Sequence, residues 1–140
     1  MKAEIVLIDD DPDSRDALSR FLTKSGHSVR SAADGNEALH LLGSSVPELI
    51  VLDYRMPDMD GMTVLGVLRS YLRWFHVPVI VLTAYPDEPR LRQQAAEFGV
   101  ARIFVKATFK FDELLQFIEA RIRPRVPLPP RGDLGIAPSI

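Results

Sequence analysis

Three aspartates, a threonine and a lysine each close a short apolar run. Asp9 and Asp10 follow residues 5–8, Asp53 follows 49–52, Thr83 follows 79–82 and Lys106 follows 103–105. Aspartate is a poor strand residue, and burying its charge is costly without a partner. Two like charges about 5 Å apart repel by roughly 3 kcal/mol at an effective dielectric near 20. A pocket of such carboxylates therefore needs cations. Lys106 offsets part of the repulsion, and a hard divalent ion offsets more. Carboxylates, a hydroxyl and a lysine, without histidine or cysteine, suit Mg²⁺ together with a phosphoryl group. Aspartate can itself accept a phosphoryl group. Mg²⁺, Lys106 and the Thr83 hydroxyl then share the charge on the group in transit. In this chemistry Asp53 ends its run because a nucleophilic carboxylate is needed there.

The elements that must gather these residues are legible as alternating apolar runs and helical stripes. Residues 5–8, 27–31 (weakly), 49–52, 79–82 and 102–105 read as strands. A first helix has Asp11 as its cap and Pro12 in its first turn, with a stripe of Ala17, Leu18, Phe21 and Leu22 and a stop at Gly26. A second opens at Asp34 or Gly35 and carries Ala38, Leu41 and Leu42. A third, after Gly61, carries Val64, Leu65, Leu68 and Leu72. A fourth carries Leu91, Ala95 and Phe98 and ends at Gly99. A fifth carries Phe111, Leu114, Leu115, Ile118 and Ile122. Five βα units predict an α/β fold, a doubly wound parallel sheet of flavodoxin-like order 2-1-3-4-5. Ligands of such sheets bind beyond the carboxyl ends of the strands, where the order reverses. Strands one and three flank that point, so Asp9, Asp10 and Asp53 should converge there, faced by Thr83 and Lys106.

Composition narrows the class. The chain has 140 residues, 46% apolar and 26% charged, with a net charge of −2 and no cysteine. It has no general basic field for nucleic acid or an anionic membrane, and no disulfide or thiolate chemistry. No apolar run approaches a membrane span, and the start of the chain does not read as a signal peptide. The expectation is a cytoplasmic protein. Residues 1–123 form one domain, and residues 124–140, with five prolines, form a proline-rich tail or linker. Within it, "VPLPP" fits a Pro-recognising partner but reads more simply as linker.

"VLIDDDP", "VLDYRMPDMDG", "VIVLTAY" and "FVK", in that order, resemble the receiver domain of two-component response regulators over residues 4 to about 123. The resemblance implies that Asp53 takes phosphate from a histidine kinase or phosphotransfer protein. It implies that Asp10 and Asp53 ligate Mg²⁺ directly, that Asp9 acts mainly through water, and that the Arg55 carbonyl completes the protein ligands. Lys106 pairs with the carboxylate and then the phosphoryl group, Thr83 swings in to hydrogen-bond it, and small Ala84 leaves room. The surface over about 86–123 carries output to a partner or an output domain, and is also where a weak homodimer would form if the chain is not a monomer. The start of the first helix (Asp13, Ser14, Arg15, Leu18) docks the phosphodonor. The domain is a signalling module rather than an enzyme, apart from slow self-dephosphorylation.

Taken singly, each residue has a blander reading. Asp9 and Asp10 suit a helix N-terminus, Thr83 is an ordinary β-branched strand residue, and Lys106 could be a solvated lysine. Asp11 remains a cap, and Asp58 and Asp60 turn formers. Gly61 supplies a backbone conformation other residues resist. His27, His40 and His76 share no spacing and read as surface or satisfied histidines. Trp74 and Phe75 read as core or rim packing, or an interface.

Four positions depart from the family pattern. Ala107 stands where proline usually follows the lysine, so the Lys106–Ala107 bond is either trans with a shifted loop or a strained cis bond. Ile103 replaces the usual switching aromatic, with Phe104 beside it. Arg55 and Tyr85 are bulky at positions that tune self-dephosphorylation. Ala107 and Ile103 favour, as an alternative, a receiver-like interaction module that does not cycle phosphate, and the intact acidic site argues against it. A Mg²⁺-dependent aspartyl phosphohydrolase fits less well, because Arg55 stands where such enzymes place a second acid and the chain is short for a substrate cap. No helix-turn-helix or basic helix follows residue 123, so this chain is not expected to bind nucleic acid directly.

Overall fold

Strand residues send successive side chains to opposite faces of a sheet. The apolar runs of this chain carry apolar residues at both parities, so both faces must be covered. The computed structural model, which describes residues 2–57 and 59–122, shows how. The order is β1 (Glu4–Ile8), α1 (Pro12–Lys24), β2 (Ser28–Ala32), α2 (Gly35–Ser44), β3 (Leu49–Asp53), α3 (Gly61–Arg69), β4 (Val79–Thr83), α4 (Leu91–Glu97), β5 (Arg102–Val105) and α5 (Phe111–Arg121). The strands form one parallel sheet in the order β2-β1-β3-β4-β5, as the sequence predicts. Ile8 pairs with Leu52, Asp53 with Leu82 and Thr83 with Val105, so the functional strand ends lie level along one edge.

One core lies between the sheet and α1 with α5. Ile5, Leu7, Val51, Ile80, Leu82 and Phe104 pack there on Leu18, Leu22, Leu114 and Ile118. The other lies beneath α2, α3 and α4. Val6, Ile8, Ile50, Leu52, Val79 and Val81 meet Leu42, Leu65, Leu68 and Leu91 there. Burying each large side chain contributes about 1.5–3 kcal/mol, so the two layers fix the sheet. Ile103 packs against the second layer while Phe104 is buried in the first, as strand alternation requires.

Caps set the helix starts. Asp11 accepts from the Asp13 N–H, Asp34 from Glu37 and Asp60 from Thr63. Asp60 is thus a cap as well as a turn residue. Gly26 and Gly99, at φ 99° and 66°, turn the chain after α1 and α4 in a conformation that glycine adopts without strain. At the foot of the sheet Arg69 donates to the carbonyls of Phe98 (2.8 Å), Val77 (2.9 Å) and Trp74 (3.3 Å), joining the ends of α3 and α4 to the loop before β4.

Several expectations change. Leu72 does not continue the third helix: α3 ends at Arg69, Ser70 caps it, and Leu72 is 90% exposed. Ala17 is exposed on α1, because its stripe is centred on Leu18 and Leu22. His27 precedes β2 rather than opening it. It is buried, with Nδ1 accepting the Ala3 N–H at 3.1 Å and Nε2 3.3 Å from Glu119, so it is the satisfied kind of histidine. Phe98 caps α4 from just outside it. The Lys106–Ala107 peptide is trans. The expected tail, 124–140, and Asp58 lie outside the described residues.

Candidate phosphoacceptor site

Asp9 follows the last residue of β1, and its N–H donates to the Ala32 carbonyl, which continues the ladder one step beyond the strand. Its backbone carbonyl accepts from the Arg15 guanidinium at 2.8 Å, which ties α1 to this loop. Its Oδ1 accepts the Asp11 N–H at 3.0 Å. Asp53 is the last residue of β3 and, like Asp9, is almost wholly buried, while Asp10 is half-buried. One carboxylate oxygen from each of Asp9, Asp10 and Asp53 lies within 4.8 Å of the others.

Lys106, one residue past β5, reaches back across this edge. Its N–H donates to the Thr83 carbonyl, and its Nζ lies 3.2 and 3.3 Å from the Asp9 oxygens and 3.1 Å from Asp53 Oδ2. Burial is the largest influence on Asp53. It raises the carboxyl, Lys106 pulls it back and Asp9 pushes it up, leaving it at about 7 rather than 3.8. Burial alone would lower Lys106, but Asp53 and Asp9 outweigh it and hold the ammonium above its ordinary value. The pocket therefore carries more negative charge than one lysine neutralises. Its donor set, oxygen only and without histidine or cysteine, is of the kind that suits a hard divalent cation such as Mg²⁺.

The structure brings together Asp9, Asp10, Asp53 and Lys106. Thr83 is buried at the end of β4, but its Oγ1 accepts the Tyr85 N–H at 2.9 Å and is held by its own loop. Ala84, Tyr85 and Ala107 are exposed beside the pocket, and Ile103 lies below it on the α4 side. Leu18 is committed to the core, so only Asp13, Ser14 and Arg15 of the expected docking residues have accessible surface.

Arg55 crosses the mouth. Its guanidinium pairs with Glu88 and lies over the rings of Tyr85 (5.6 Å) and Tyr54 (6.0 Å). Below it, the Tyr54 hydroxyl donates to Gln94 Oε1 at 3.0 Å, which joins the end of β3 to α4. A cavity of about 560 Å³ opens here, with Asp10, Tyr54, Arg55, Glu88 and Gln94 in its wall. Glu88 and Gln94 gave no sequence signal, because a loop acid and a helical glutamine carry no spacing that points at Asp53.

Gly61 lies against the end of β3. A Cβ there would stand 2.4 Å from the Asp53 carbonyl oxygen and 3.1 Å from Tyr54 Cα. The glycine is needed for this close approach and not for a positive φ, which corrects the expectation.

Comparison with known proteins agrees with this geometry. The family model described as "Response regulator receiver domain" matches residues 5–119. Response regulator MprA of Mycolicibacterium vanbaalenii is 38% identical over 127 residues, which is 91% of this chain and 53% of that protein. The chain thus spans about half the length of this and other curated relatives that it matches. Chemotaxis protein CheY4 of Vibrio cholerae superposes with a TM-score of 0.80 at 27% identity, covering 87% of this chain and all of that one. Response regulator TrrA of Thermotoga maritima, solved in complex with Mg²⁺ and BeF, superposes at 0.74 with 31% identity, covering 87% and 100%. Among the described residues no helix is long and apolar enough to cross a membrane. The strand order, the acidic edge closed by a lysine, and these matches carry one conclusion: the chain belongs to the response regulator receiver domain family.

Proposed function

We propose that Asp53 accepts a phosphoryl group from a histidine kinase or a histidine phosphotransfer protein, with Mg²⁺ as cofactor. An Asp53 carboxylate oxygen forms the new bond to phosphorus. The phosphorus–nitrogen bond to the donor breaks, and its electron pair leaves with the imidazole. The observation that carries this reading is Lys106 Nζ placed between Asp9 and Asp53 in a pocket with a third carboxylate. Mg²⁺ supplies charge neutralisation for the non-bridging phosphoryl oxygens. Asp10, Asp53 and the Arg55 carbonyl hold it, while Asp9, already paired with Lys106, acts through water.

Lys106 passes from the free carboxylate to the phosphoryl group. Thr83 exchanges the Tyr85 N–H for a phosphoryl oxygen, and exposed Ala84 leaves space for that turn. Movement of the β4–α4 loop alters the face made by α4, β5 and α5. Ile103 shifts there by repacking instead of a ring swing, and Ala107 follows a trans bond. That face addresses an output domain or partner protein. Asp13, Ser14 and Arg15 meet the phosphodonor.

The test is phosphate uptake from acetyl phosphate with Mg²⁺, read by intact mass. One phosphoryl group is gained by the wild type and none by Asp53→Asn or with chelator. No gain in a protein shown separately to bind Mg²⁺ would leave the non-cycling interaction module standing.

Arg55, Tyr85 and Glu88 cover the mouth, so they shield the acyl phosphate from water. Arg55→Ala, Tyr85→Ala and Glu88→Gln are each expected to shorten the lifetime of phospho-Asp53. Unchanged decay of the mass signal in all of them contradicts the shielding role.

A further inference from the structure

Lys106 pairs with two acids from the first residue of a loop. Its N–H donates to the Thr83 carbonyl at 2.7 Å, which fixes where that loop starts. The following residues turn back on one carbonyl: Val105 accepts from Thr108 at 3.1 Å and from Phe109 at 2.9 Å. Ala107 and Thr108 are exposed. The Lys106–Ala107 bond is trans, and alanine leaves φ free where a proline would set it. A lysine ammonium rides on a flexible stem, so a loose turn would let it leave either acid. Yet Nζ spans both, 3.2 and 3.3 Å from the Asp9 oxygens and 3.1 Å from Asp53 Oδ2.

The side chain that closes the turn is Phe109. It is half-buried and packs on the core between the sheet and α1 with α5. Its ring centroid lies 5.8 Å from that of Phe104 on β5, tilted by 54°. It lies 5.7 Å from that of Phe111 at the start of α5, tilted by 32°. Both separations fall in the range of about 4.5–7 Å at which aromatic pairs attract. Phe111 continues the row onto Phe21 of α1 at 5.2 Å. Phe109 also stands just before the cap of α5. That cap, Lys110, makes no side-chain hydrogen bond. An apolar residue in this place can fix the angle at which the chain enters a helix. One ring thus governs both how the turn leaves β5 and how it enters α5.

We infer that Phe109 is a positioning residue for Lys106: its ring, held against Phe104 and Phe111, clamps the turn that aims the ammonium at Asp9 and Asp53. The bearing of this clamp on phosphoryl transfer rests on the role proposed for Lys106 above, whereas the placement of the ammonium does not. Phe117 provides the control. It meets the same Phe104 ring at 6.1 Å, but from within α5 and outside the loop.

Acetylation of the full chain by limiting acetic anhydride, with chelator and no phosphodonor, compares Lys106 with exposed Lys24 by peptide mass. Lys106 is 22% exposed, so the reagent reaches it once the ammonium swings clear. Phe109→Ala is expected to raise the Lys106-to-Lys24 ratio several-fold. It should also slow uptake from acetyl phosphate and Mg²⁺ roughly tenfold or more, the scale on which small misplacements of a reacting group act. Phe109→Tyr keeps the ring and should match the wild type in both readings. Phe117→Ala removes as large a ring from the same core and should leave the ratio unchanged. If Phe109→Ala does not fold, Phe109→Leu, which keeps most of the volume and loses the ring contacts, is read in the same way. An unchanged ratio, or an equal rise in Phe117→Ala, would overturn the inference. The labelling contrast without phosphate uptake in any of the proteins would uphold the clamp and sink the phosphoryl role instead.

Discussion

Asp53 keeps its proton to about pH 7 in the folded, cation-free protein because burial outweighs the pull of Lys106. An unfolded aspartate releases it near 3.8. Between those values the native state binds more protons than the unfolded state, so stability falls as pH rises from about 4 to about 7. Above 7 the full cost is present, of the order of a few kcal/mol. Asp53→Asn removes that cost. It is expected to raise Tm at pH 8 in the presence of chelator by several degrees, and to flatten the slope between pH 4 and 7. Thermal unfolding of both proteins across that range checks the sign, and a lower Tm for the variant at pH 8 would contradict the assignment. The proton also bears on the proposed phosphoryl transfer, since only an ionised carboxylate can attack phosphorus.

Two elements touch most closely where α3 begins against the end of β3. Gly61→Ala forces a methyl group onto the Asp53 carbonyl, a backbone atom that cannot swing aside. The variant is expected to lose about 1–3 kcal/mol in a urea melt, as overpacked sites do, and to take up phosphate more slowly. Equal stability and equal uptake would show that α3 yields freely. This contact also shows what the sequence could and could not display. Apolar runs broken by Asp9, Asp53, Thr83 and Lys106 are local signals, and a parallel sheet must bring such strand ends to one edge, so the fold and the pocket were legible. Gly61 was legible as a special residue, but the reason lay in a neighbour eight positions away. Leu72 kept the helical period after Leu68, yet Ser70 ended the helix, because a periodic residue does not extend a helix that has nothing left to pack on. The Arg55–Glu88 pair joins two loops from different strands, and no periodicity reports such a meeting.

Across the whole molecule, proton and cation compete for one pocket. If Mg²⁺ is held by the ionised carboxylates, as proposed above, it is expected to raise Tm, and to do so more at pH 8 than at pH 6. At a hundredfold excess over Kd the gain is about 2.7 kcal/mol. Asp53→Asn should weaken the response. Differential scanning calorimetry against MgCl₂ at the two pH values reads this directly, and an equal shift at both would argue against competition. Lys106 adds a consequence for how the protein comes into being. Its partners Asp9 and Asp53 lie 97 and 53 residues earlier in the chain. During synthesis β1 and β3 leave the ribosome well before β5, so their paired acids repel one another until the last strand docks. The acidic edge thus disfavours premature closure of a partial sheet, and arrival of β5 both completes the sheet and relieves the charge. A folding intermediate lacking β5 should be bound and steadied by divalent ions.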